Sequence, residues 1–146
     1  MANMDALDLS RRPPRSPRQP FAGLDLLMLA RTVDKLRATL PGGNLGSYQI
    51  TGFSSHLLEK LGIAEALLRE TIARARTDEE IAAWIREHSD AATYPEINAA
   101  LERLTVGERL NDPQFVARYP ITRRLPPETS RLDMLIADDE ESFATR

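Results

Sequence analysis

The residues best able to do chemistry in this chain fall between positions 31 and 56. Arg31, Asp34 and Lys35 share one side of a helical repeat beside an apolar stripe, and a glycine-rich stretch carrying Tyr48 follows. A carboxylate, an amine and a phenol gathered there would supply base, acid and anion contact once burial shifted their pKa values. In an enzymatic reading Asp34 is the base, Tyr48 or His56 the acid, and Arg31 or Lys35 the clamp for an anionic substrate. The competing reading is an exposed ion pair of Asp34 with Arg31 or Arg37, worth roughly a few tenths of a kcal/mol. Ser54 and Ser55 precede His56, but adjacent helical residues point apart, and capping of a helix by either serine accounts for them. His88, at a helix C-terminus, complements the helix dipole. Gly42-Gly43-Asn44-Leu45-Gly46 lacks the Lys-Ser/Thr of a phosphate-binding loop and reads as a turn cluster.

A second set of charged groups lies upstream. Arg11-Arg12-Pro13-Pro14-Arg15-Ser16-Pro17-Arg18 can form neither a helix nor a central strand, yet it carries four positive charges. Such an arm either lies extended on acidic surface of its own fold or reaches for an external carboxylate or phosphate. Residues 1–20 carry +2 and the last fifteen residues −4, so Asp133 or Asp138 is the expected partner, in the same chain or in a neighbour. Contact with a neighbour would make the arm a homodimer interface. Nucleic acid is disfavoured: net charge is −3, only Lys35 and Lys60 are lysines, and no aromatic interleaves with Arg11, Arg12, Arg15 and Arg18.

These groups need elements to hold them. Leu26, Leu29, Val33, Leu36 and Leu40 follow three-four spacing, which predicts a helix stopped by Pro41-Gly42-Gly43. Short helices are expected around Leu57–Leu61, closed by Gly62, and from 64 to 75. Thr77-Asp78-Glu79-Glu80 is a capping box for a helix burying Ile81, Trp84, Ile85 and His88. Pro95 and Asp112-Pro113 open two more, and a last short helix through Leu132, Leu135 and Ile136 precedes the acidic tail. The expected fold is mainly α: one compact domain of six or seven helices over 24–146, an extended arm over 1–23, and at most a minimal β element near Tyr48. A chain of 146 residues suffices for such a core. Without cysteine and with only His56 and His88, no metal or other cofactor is expected. The apolar run after Arg11-Arg12 is cut short by Asp25 and Arg31, so neither an export signal nor a membrane span is expected and the location reads as cytoplasmic.

Leu7-Asp8-Leu9 running into the Arg/Pro stretch, with Val33-Asp34-Lys35-Leu36-Arg37-Ala38 beyond, resembles an uncharacterised bacterial family, number 5069 among the domains of unknown function. The similarity extends through Tyr48, Leu57 to Ile63, Trp84-Ile85 and Pro95-Glu96-Ile97. Where that family follows its tyrosine with Cys-Pro-Leu-Asp, this chain has Gln49-Ile50-Thr51-Gly52. The resemblance implies a soluble bacterial single-domain protein and carries no activity with it. From the residues, the expected function is a small binding or accessory protein recognising a small acidic ligand or protein partner. The alternative is a cofactor-free lyase, isomerase or hydrolase acting on a small carboxylate.

Overall fold

The computed structural model describes residues 7–144, and among these the protein is mainly α, with seven α-helices and no sheet. They are α1 (Leu29–Ala38), α2 (Phe53–Leu61), α3 (Glu65–Arg74), α4 (Asp78–Glu87), α5 (Tyr94–Glu102), α6 (Pro113–Arg118) and α7 (Arg131–Phe143). Short 3-10 turns occupy Ala91–Thr93, Gly107–Arg109 and Pro120–Arg124. The chain divides after Ile97, inside α5, into two compact units.

In the first unit α1 is the centre, with all ten of its residues buried. Leu29, Val33 and Leu36 face α2 and α3, which bring Leu57, Leu58, Leu68 and Ile72 to the same core. The helix is shorter than the Leu26–Leu40 stripe suggests. Met28 takes a left-handed backbone (φ +72°) and gives its N–H to Pro17 O (2.7 Å), so the arm ends the helix on its N-terminal side. At the other end Gly43 packs so tightly that a Cβ there would meet Ala38 O at 2.5 Å.

Other termini follow local chemistry. Gly62 closes α2 in the left-handed conformation (φ +74°). Thr77 Oγ1 accepts the Glu80 N–H (3.2 Å), while Glu80 reaches back to the Arg76 N–H (3.1 Å) rather than that of Thr77. Ser54 and Ser55 do not cap α2, whose N-cap is Gly52. Ser54 is buried with its hydroxyl 2.9 Å from Thr32 Oγ1, and Ser55 donates to Ile50 O (3.1 Å). His88 is the C-cap of α4, but it is exposed and stacks on half-buried Trp84 with ring centres 4.1 Å apart.

In the second unit Leu101, Val106, Phe115, Leu132 and Leu135 are buried. Asp112 caps α6 through the N–H groups of Gln114 and Phe115, with Pro113 at its first turn. The acidic tail is helical: α7 continues to Phe143 and buries Asp139. The minimal β pairing is displaced from Tyr48, since the described bridges join Asp8 with Asn44, Phe21 with Leu24, and Thr105 with Ser130.

Candidate functional site

The polar side of α1 is covered by two segments far apart in sequence, the arm and the glycine loop. The arm is docked. Leu9, Pro14, Pro17 and Phe21 are buried, which fixes its backbone although proline denies it helix or sheet bonding. The loop is pinned to the arm by Leu9 N–H to Asn44 O (2.8 Å) and Asn44 N–H to Leu7 O (2.9 Å). Gly46 sits at φ +63°, where a Cβ would meet Leu9 O at 3.0 Å, so only glycine allows arm and loop to approach this closely.

Beneath this cover Arg15 forks onto Asp34: its Nη2 lies 2.9 Å from Oδ1, and its Nε and backbone N–H lie 3.1 and 2.8 Å from Oδ2. Its Nη1 reaches Asp78 at the start of α4 (2.8 Å). Arg37 also meets both acids, Asp34 at 3.6 Å and Asp78 at 3.1 Å. Two guanidinium groups and two carboxylates thus join arm, α1 and α4. Arg37 and Asp34 side chains are only 5% and 7% exposed, Asp78 and Arg15 20% and 27%. Burial would weaken the charged form of Arg15, but the hydrogen bonds it donates to Asp34 and Asp78, together with their negative charges, outweigh it and raise the guanidinium pKa. Arg15 therefore stays cationic throughout the working pH range.

The other two cations of α1 face the cover. Lys35 Nζ donates to Gln49 O in the glycine loop (3.1 Å). Arg31, 1% exposed, lies over the Tyr48 ring (5.4 Å to its centre) and points Nη1 at Arg15 O (3.4 Å). The Asp34–Arg37 pair is thus present, but buried rather than exposed. His56 is half-buried on α2. Arg11 and Arg12 are exposed, Arg11 within 3.4 Å of Asp8, and Arg18 is half-buried.

The family model for the Domain of unknown function (DUF5069) matches residues 11–140. The chain belongs to this family. A search of curated proteins returned no match. The DUF5069 region takes in Arg15, the whole of α1, the glycine loop and Asp78, so all four groups of the charge network lie inside it. No helix among the described residues of this DUF5069 protein is long and apolar enough to cross a membrane. The acids that receive the arm are Asp34 and Asp78; no sequence signal marks Asp78 for this, because its place in a capping box already explains it. Arg37 stands three residues after Asp34 and was legible as its neighbour, but not as a bridge to α4.

Proposed function

We propose that this is a small cytoplasmic binding protein whose ligand is a small carboxylate or phosphate, received by Arg31 and Lys35 beside Tyr48. One observation carries the reading: both cations are buried beneath a glycine-rich loop, with Lys35 donating to a neutral loop carbonyl. An ionised oxygen is a stronger acceptor for an ammonium or guanidinium than a peptide carbonyl, so a ligand anion entering under the loop gains from exchanging with it. Tyr48, already against Arg31, adds a phenolic hydroxyl and an apolar ring face to the same place. The enzymatic alternative asks Asp34 to take a proton. Four hydrogen bonds from Arg15, with Arg37 nearby, already occupy both oxygens of that carboxylate, which leaves no acceptor position open for a substrate proton and weighs against a base.

The test is a thermal-shift screen of the full chain against succinate, malate, citrate and inorganic phosphate, repeated on Lys35→Met and on Arg12→Ala as a surface control. At a hundredfold excess over its dissociation constant, a bound ligand adds about 2.7 kcal/mol, several degrees in melting temperature. The shift is expected in the parent and in Arg12→Ala, and is expected to be lost in Lys35→Met. A shift that survives Lys35→Met refutes the assignment, as does conversion of any of these compounds followed by proton NMR.

A further inference from the structure

We propose that the arm exchanges between two copies of this chain, giving a homodimer in which residues 7–21 of each molecule cover α1 of the other. The hinge is the first reason. Phe21 and Leu24 close a two-residue reversal, with Leu24 N–H on Phe21 O (2.8 Å) and Phe21 N–H on Leu24 O (3.2 Å). Both residues inside it have positive φ, +46° for Ala22 and +85° for Gly23. Glycine accepts that geometry at no steric cost, whereas an alanine Cβ crowds the following carbonyl. The closed monomer therefore holds strain at the one point that must open for the arm to leave.

The second reason is that the arm is anchored by specific bonds to the rest of its unit, and each can form identically with another copy. Arg15 meets Asp34 and Asp78, Pro17 O takes the Met28 N–H, and Leu9 pairs with Asn44. Nothing in these contacts distinguishes a chain's own arm from a second one. Exchange conserves them all and straightens two strained turns; it gives up the Phe21–Leu24 backbone pair at each hinge to water and is opposed by the entropy of association. Strain in a short hinge is the usual determinant of that balance. This inference is independent of the ligand assignment above.

The chain has no cysteine, so engineered thiols report cleanly. The side chains of Ser10 on the arm and Asn44 on the loop approach to 3.4 Å. Ser10→Cys and Asn44→Cys are prepared separately, mixed, concentrated, warmed to just below the melting transition and oxidised. The expected product is a covalent heterodimer of the two variants, dissolved by reductant. Light scattering on the otherwise unmodified chain should show a concentration-dependent dimer. Ala22→Gly removes the strain from the closed form and should weaken that dimer about tenfold per hinge, or roughly a hundredfold in all. A chain that stays monomeric and yields no heterodimer overturns the proposal. So does a dimer that forms without the Ser10–Asn44 link, or one that Ala22→Gly leaves unweakened.

Discussion

Replacing Asp34 by asparagine keeps the side chain's size while removing the charge that two guanidinium groups share. Asp34 now accepts the Arg15 backbone N–H, Nε and Nη2 at 2.8–3.2 Å, with Arg37 at 3.6 Å. An asparagine offers one acceptor oxygen in place of two, and its amide N–H groups would face donors. Breaking a buried ion pair from one side costs about 3–5 kcal/mol. Asp78 still receives both arginines, and the Arg15 side chain is 27% exposed, so the lower end applies: about 3 kcal/mol. For a chain of this length that lowers the melting temperature by roughly 6–12 °C. Urea unfolding followed by circular dichroism gives the free energy, and Glu70→Gln, which cuts the exposed Glu70–Arg74 pair, serves as the neutral comparison. A loss below about 1 kcal/mol, indistinguishable from Glu70→Gln, would refute the view that this network holds the arm down.

Gly46→Ala should destabilise the chain by about 1–2 kcal/mol through its positive φ alone, and more if Leu9 cannot yield, measurable as a lower urea midpoint. It should also speed proteolysis within residues 7–21, whereas Gly62→Ala, with open space around its Cβ, should not. In the second unit, the Arg109 side chain and the N–H groups of Phe115 and Gln114 hold the Asp112 carboxyl below its usual range, and the Thr105 N–H followed by Arg131 does the same for Glu108. Carboxyls depressed in the folded state stabilise above their unfolded pKa and lose that contribution as pH falls through the folded one, so acid sensitivity is expected below the ordinary carboxylate range. Asp112→Asn, which keeps the helix cap, should flatten that part of a melting-temperature profile taken from pH 6 to pH 2.

Helix ends written in local chemistry were readable in advance. Thr77, Gly62 and Asp112-Pro113 act through neighbours two to four residues away, so the sequence neighbourhood contains the whole interaction. Ser54 shows the limit. Its cap chemistry was sound, but a hydroxyl partner on α1 competed for it, and the choice lay in packing. The acidic tail was read as following a last short helix, yet α7 continues through it to Phe143 and places Asp139 on the inner side. Arg31 and Lys35 were visible as cations beside Tyr48 and the glycine loop, and the structure sets both against that loop. Asp34 and Asp78 were not legible as the acids that receive Arg15, because summed charge says which stretches of a chain attract but not which carboxylates lie within hydrogen-bond reach.

The bond between Arg15 and Asp78 joins positions 63 residues apart. During synthesis the arm leaves the ribosome ahead of α1, but the acid that completes its seat emerges only after α2 and α3 have been made. Until then Pro14, Pro17 and Phe21 have no finished surface to cover, so residues made before α1 must be among the last in this unit to settle.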